Sequence, residues 1–226
     1  MQAQAQANYY TRAPQHSSPV LVLGLFVIVL AALAFGGWNY LLNSRPDVSD
    51  PLIPDSSHVT GSDNAPVTVV VFGDYQCDSC SNFAEEIMPQ LRDEFIDSGV
   101  VLLAYRHYPL LGEQSVRAAL ASECAAQQGK FWEMHALLSS WKAGVGIERF
   151  PKELLAQFAF GTRIGPAEYR SCMANPDTII PVEQGLRDGF SLGVRELPAI
   201  YVNGRYANGV VDYTRLRSMI LVAATE

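Results

Sequence analysis

The chain has 226 residues, 49% of them hydrophobic, and a formal charge of −7 at pH 7. That is enough apolar material for one core of ordinary domain size. Arg12 is the single charged side chain in the first 44 residues, so the remainder carries 15 basic against 23 acidic groups; an acidic domain without a lysine or arginine cluster speaks against nucleic-acid binding and against a basic membrane-surface patch.

Residues 1–18 form a short N-terminal segment, and residues 20–38 are an uncharged apolar run, VLVLGLFVIVLAALAFGGW. At about 1.5 Å per residue such a helix crosses a hydrocarbon core of roughly 30 Å. Trp38 and Tyr40 stand where interfacial aromatics belong. The run therefore predicts a transmembrane anchor over residues 19–42. A cleaved signal peptide is the competing reading, through the small-x-small triplet Ala32-Leu33-Ala34, but the apolar run is long for one and follows a considerable leader. Residues 43–64 are rich in Ser, Asp and Pro with no hydrophobic period, and read as a linker.

A folded domain is expected from about Ala65. Residues 67–72, VTVVVF, are a run rich in β-branched residues, suited to a strand covered on both faces. Phe83, Ile87, Leu91 and Phe95 recur every four residues and predict a helix, kinked at Pro89. Residues 100–105, VVLLAY, are a second buried strand, so the three elements make a βαβ unit with parallel pairing. Residues 112–175 read as helical throughout, with segments at 115–128, 131–141, 152–160 and 166–173. A further helix over 178–192 stops at Gly193, residues 199–202 form a short strand, and Asn203-Gly204 is a hairpin turn. A return strand over 205–207 and an amphipathic helix over 212–222 complete the chain. The order predicts a two-part α/β domain, 65–111 with 176–226, interrupted by a helical insertion at 112–175.

Cys77-Asp78-Ser79-Cys80 follows the first buried strand and opens a helix. Cysteines three apart in a first helical turn share a face and can form a disulfide. The first stands at the helix terminus, where free N–H groups and the macrodipole favour a thiolate, hence a nucleophile; the second can resolve a mixed disulfide. A zinc ribbon needs a second close pair, and Cys124 and Cys172 are too far apart in sequence to supply it. A purely structural disulfide is the other reading, and the strand–CxxC–helix context favours redox chemistry over both. Leu197-Pro198 opens the strand at 199–202; taken alone, that bond is expected to be trans. Cys124 and Cys172 both lie in the helical block, and an oxidising compartment favours their pairing as a structural disulfide, against two unpaired buried thiols.

His107 follows a strand; a proton relay is one role, a structural or surface histidine the favoured one. Phe131 and Trp132, with His135 on the same helical patch, are read as core packing. Asp74 is read as capping its loop rather than tuning the thiols. No phosphate loop, Ser-His-Asp set, metal cluster or cofactor motif stands out.

Four segments taken in order, FGDYQCDSC, RHYPL, CAAQQGKFWEMHALL and LGVRELPAIYVNG, resemble the DsbA-like thioredoxin family, in its membrane-anchored bacterial branch, over nearly the whole stretch from Ala65 to Ile220. The resemblance implies a thioredoxin-like fold with an inserted helical subdomain, and catalysis by Cys77 and Cys80 without a cofactor. It implies a cis Pro198 against the sulfurs and a substrate-binding backbone at Leu197. It also implies a bacterial cell-membrane location with the catalytic domain extracytoplasmic, reduced exported proteins as clients, and a membrane quinone-linked reoxidase, DsbB-like or vitamin K epoxide reductase-like, as partner. Asp78, where the family often has proline, and Leu197, where it often has threonine or valine, depart from the pattern; Asp78 and Ser79 are the expected tuners of the active site. A reductase or isomerase on this scaffold is the first alternative, a membrane-tethered binding or assembly factor with structural cysteines the second.

Overall fold

The computed structural model describes residues 58–144, 146, 148–207 and 212–226. The expected membrane helix at 19–42 lies outside them, and among the described residues no helix is long and apolar enough to cross a membrane.

Five strands form one sheet in the order β1-β3-β2-β4-β5: β1 His58–Gly61, β2 Val67–Gly73, β3 Val101–His107, β4 Ala199–Val202 and β5 Arg205–Tyr206. β2 and β3 pair in parallel from Val67 opposite Val101, as the βαβ reading requires, and the other pairs are antiparallel. β2 is buried at every position because apolar layers cover both its faces. Val67, Val69 and Val71 join one cluster with Phe83, Leu91, Ile200 and Leu216, whereas Val70 and Phe72 join a smaller one with Tyr108 and Val194. Full burial of each such side chain contributes about 1.5–3 kcal/mol.

The helix after β2 (α1, residues 78–96) alternates between α-helical and π-helical turns: Asp78–Asn82, Phe83–Ile87, Met88–Leu91 and Arg92–Ile96. Pro89, where a kink is expected, stands just after the first π-helical turn. Proline removes an N–H and crowds the preceding turn, and just before it the Met88 N–H reaches back five residues to the Phe83 carbonyl. The insertion consists of α2 Glu113–Ala126, α3 Phe131–Ser140, α4 Lys152–Gly161 and α5 Pro166–Ala174. A short 3₁₀ turn, Pro176–Ile179, leads into α6 Ile180–Ser191, which packs on β3; α7 Tyr213–Ala223 ends the chain. Two glycines let α6 approach the sheet: a Cβ at Gly185 would overlap the His107 carbonyl oxygen, and one at Gly189 the Tyr108 ring. At the β4–β5 turn Asn203 and Gly204 both have positive φ, 43° and 75°, as that hairpin requires.

One boundary is corrected. The stretch read as linker contains β1, which pairs along β3 from His58 opposite Tyr105. His58-Val59-Thr60-Gly61 has no apolar period because it is an edge strand, and what holds it is long-range. The Trp132 Nε1–H donates to the Val59 carbonyl at 3.0 Å, and the His58 ring stacks on Phe131 with centroids 3.6 Å apart.

Candidate active site

Cys77 and Cys80 are joined as a disulfide, their Cα atoms 5.2 Å apart. Cys77 is the N-cap of α1, and the Cys80 N–H donates to its Sγ at 3.1 Å. The helix begins here because β2 ends at Gly73 and Asp74 turns the chain. The Asp74 carboxylate, 2% exposed, accepts the Gln76 N–H at 2.8 Å, the Leu110 N–H at 2.8 Å and the Leu111 N–H at 3.0 Å. One side chain thus shapes the loop before the cysteines and ties it to the loop after β3, which is the capping role expected of it.

The Leu197–Pro198 peptide is cis, as the resemblance implies and the isolated dipeptide does not. Pro198 and Cys80 line one small cavity with Phe83, Tyr105 and His135, while Pro198 and Ser79 border an open groove of about 510 Å³. Ser79 bridges the two loops: its hydroxyl donates to the Leu197 carbonyl at 2.8 Å and lies 3.2 Å from Cys77 Sγ. A hydroxyl has one proton, so while Leu197 holds it Ser79 does not donate to the sulfur. Asp78 is 84% exposed, and its carboxylate meets Arg149 at 2.9 Å.

Behind the disulfide lies a buried polar layer. The Tyr75 hydroxyl is 3.1 Å from His135 Nδ1. Burial holds the His135 ring neutral, with its pKa pushed down to about 3, and raises the Tyr75 hydroxyl above its ordinary range. Glu123 faces His58 at 2.8 Å and His107 at 3.0 Å. Burial alone would raise the Glu123 carboxyl; the hydrogen bonds from His107 and His58 outweigh it and hold the pKa at about 2. The His107 pKa is itself lowered, chiefly by burial, with the hydrogen bond to Glu123 opposing that shift. The favoured structural role for His107 is what this pairing describes, and Phe131 is buried in the main core with Trp132 packed against it. The ligating atoms of His58, His107 and Glu123 lie within 4.8 Å of one another. Such a set can hold a cation, and sequence reading does not foresee it because the three residues come from separate elements.

Cys124 and Cys172 are joined as a disulfide linking α2 to α5, with Cα atoms 5.6 Å apart. Arg149, Glu123 and Tyr75 are the polar neighbours that sequence reading misses. Arg149 is 71 residues from the carboxylate it meets, and nothing in its local sequence marks it.

A cysteine pair closed at a helix N-terminus, beside a cis-proline at the edge of a central sheet, defines the site of a thioredoxin-fold thiol–disulfide oxidoreductase. The thioredoxin family model matches residues 54–221. The chain belongs to this family, and within it to the DsbA-like disulfide oxidoreductases. Disulfide bond formation protein D of Bacillus subtilis is 32% identical over 72% of this chain and 74% of that protein. The crystal structure of oxidised BdbD from Bacillus subtilis superposes with a TM-score of 0.71 at 30% identity, covering 76% of this chain and 94% of that one. A Na(+)/H(+) antiporter, NhaA 3 of Salinispora tropica, is 31% identical over 78% of this chain but over 26% of its own length, so the likeness is to one part of that protein.

Proposed function

We propose that the chain introduces disulfides into exported proteins outside the cytoplasmic membrane, tethered by an anchor at residues 19–42. The observation that carries the proposal is the Cys80 N–H aimed at Cys77 Sγ from the first turn of α1. Exposure does not single out Cys77, which is 8% exposed while Cys80 is half-buried. What separates them is stabilisation of the thiolate: charge leaving on Cys77 gains a backbone donor and the positive end of the helix.

In the proposed reaction a client thiolate attacks Cys77 Sγ, forming a client–Cys77 disulfide and expelling Cys80 as thiolate. The client's second thiolate attacks its own bridged sulfur, closing the client disulfide and releasing Cys77 as thiolate. Two electrons pass from client to enzyme, and the client's two thiol protons go to solvent or to the cysteines. A membrane quinone-linked reoxidase, DsbB-like or vitamin K epoxide reductase-like, then takes those electrons. Pro198 shapes the edge where the client chain lies and Leu197 offers it backbone groups. The cis peptide beside Cys80 and the Ser79–Leu197 bond support that placement.

The test mixes the disulfide form with a reduced, unfolded protein that needs disulfides to fold. One client disulfide should form per enzyme disulfide consumed; mixed instead with a client that already carries a disulfide, Cys80→Ser should attack it through the Cys77 thiolate, release one client thiolate, and accumulate client–Cys77 complexes on non-reducing gels. Complexes trapped by Cys77→Ser instead would reverse the assignment. A Cys77–Cys80 potential as reducing as that of the cytosolic glutathione pool would favour the reductase reading. Protease added to intact spheroplasts should remove the domain, and survival of the full-length protein would refute the proposed location.

A further inference from the structure

Arg149 belongs to the helical insertion, yet it bonds to both ends of the active-site turn. Nη1 donates to the Gln76 carbonyl at 3.0 Å and to the Asp78 carboxylate at 2.9 Å, on either side of Cys77. Nη2 donates to the Ser81 hydroxyl at 3.0 Å, one residue past Cys80. Nε donates to the Trp141 carbonyl at 3.2 Å. The side chain is 12% exposed.

The guanidinium is held in place from behind. Phe150, the next residue, is fully buried in the main core. Its N–H donates to the Gln114 side chain at 2.9 Å, and its carbonyl accepts from Arg117 at 3.1 Å, both partners on α2. The backbone that carries the charge is therefore fixed, and a planar fork loses less freedom per bond when it makes several at once.

Stability through the Asp78 pair does not account for this arrangement. With the carboxylate 84% exposed, the pair is an exposed ion pair of small worth. Of the other bonds, one goes to Trp141 within the insertion, and two go to Gln76 and Ser81, which frame the two cysteines. We propose that Arg149 is a positioning residue for disulfide exchange, tying the insertion to the Cys77–Cys80 turn and offsetting Asp78 so that the Cys77 thiolate is stabilised.

The charged groups around the turn set the sign. Asp74 lies behind it, engaged by three backbone N–H groups. Glu86 and Asp212 line the groove beyond Ser79 and Pro198, and Asp212 accepts the Arg215 N–H at the start of α7. Glu85 pairs with Lys142 at 3.6 Å, and Arg149 itself faces Asp78. His135, behind Cys80, is neutral. Against this acidic surround a fixed guanidinium favours a thiolate. Nη1 sits on the carbonyl of the residue before Cys77, about 7 Å from its sulfur given neighbouring Cα atoms about 3.8 Å apart. At that separation a unit charge changes a thiol's dissociation constant about threefold in water-like surroundings, and about fiftyfold at an effective dielectric near 20.

The proposal rests on the oxidoreductase reading, and the experiment separates the two. Thiolate absorbance against pH and equilibration with glutathione are measured on the full chain as wild type, Arg149→Gln, Arg149→Lys and Asp78→Asn. Arg149→Gln should lower the Cys77 dissociation constant at least threefold and shift the glutathione equilibrium toward the protein disulfide by a similar factor. Arg149→Lys, which keeps the charge, should recover most of both effects. Asp78→Asn should move both quantities the opposite way. Arg149→Met carries the same expectation as Arg149→Gln and replaces it if that variant does not fold. Arg149 variants within twofold of wild type in both measurements, or a lysine variant no better than glutamine, would overturn the inference while wild-type exchange leaves the oxidoreductase reading standing. A wild-type protein that does not equilibrate with glutathione would sink both.

Discussion

Replacing Asp74 offers the sharpest test of how the active-site loop is built. Its carboxylate is buried and accepts three backbone N–H groups, with Oδ1 on Gln76 and Oδ2 on Leu110 and Leu111. Asp74→Ala removes every acceptor. A buried donor left unsatisfied costs about 1–3 kcal/mol, and a bond to a charged acceptor lies toward the upper part of that range. Leu110 and Leu111 are 44% and 55% exposed, so water recovers part of their loss and Gln76 bears more of it. The expected total is about 2–4 kcal/mol. Asp74→Asn keeps one oxygen and presents an NH₂ to a donor on the other side. With its oxygen toward Leu110 and Leu111 it loses one bond, for about 1–2 kcal/mol. Urea unfolding of the disulfide-closed protein, compared at equal m-value, measures both. An alanine variant within 0.5 kcal/mol of wild type on that scale, or an asparagine variant as costly as alanine, would refute this description of the loop.

Three further outcomes follow from other parts of the fold. The Cys124–Cys172 bond spans 48 residues of sequence, and replacing both cysteines with alanine should destabilise the protein by about 4 kcal/mol in the chain-entropy model; a loss under 1 kcal/mol would show that the insertion holds its shape without the bond. Gly185→Ala forces a methyl against the His107 carbonyl and should cost about 1–3 kcal/mol, whereas Gly161→Ala, whose Cβ meets nothing within 4 Å, should not destabilise; equal effects at the two sites in thermal melts would contradict the packing of α6 on β3. His135 has a folded pKa of about 3 against about 6.5 in the unfolded chain, so its neutral burial stabilises fully above pH 6.5 and loses about 1.4 kcal/mol per unit as pH falls toward 3. Glu123, held at about 2, adds a loss of the same sign below its unfolded value of about 4.5. His135→Gln should flatten the stability slope between pH 6 and 4 by about one proton, and an unchanged slope in urea titrations would disprove the assignment.

The local pattern of the chain already determines much of this protein. β2 is legible because a strand covered on both faces favours a run rich in β-branched apolar residues, and Val67 to Phe72 is one, broken only by Thr68. The active-site turn is legible because a cysteine pair three residues apart at the start of a helix can be read without knowing anything distant. α7 and the Asn203-Gly204 hairpin are written in periodicity and turn chemistry of the same short range. Tertiary structure decides what depends on pairs far apart in sequence. β1 has no apolar period, and its place comes from β3, Phe131 and Trp132. Glu123 looks like any acidic residue on a helix until His58 and His107 arrive from the sheet to hold it ionised. The cis bond before Pro198 is invisible to local preference, which favours trans, and follows from the fold around it. Asp78 shows the difference most directly: in sequence it is a bare negative charge beside a nucleophile, and in the folded chain it faces an arginine carried in by the insertion. Hydrophobic period and turn chemistry act over a few residues, whereas the charge that offsets Asp78 and the partners that satisfy buried polar groups are supplied by whichever side chains the fold brings within a few ångströms.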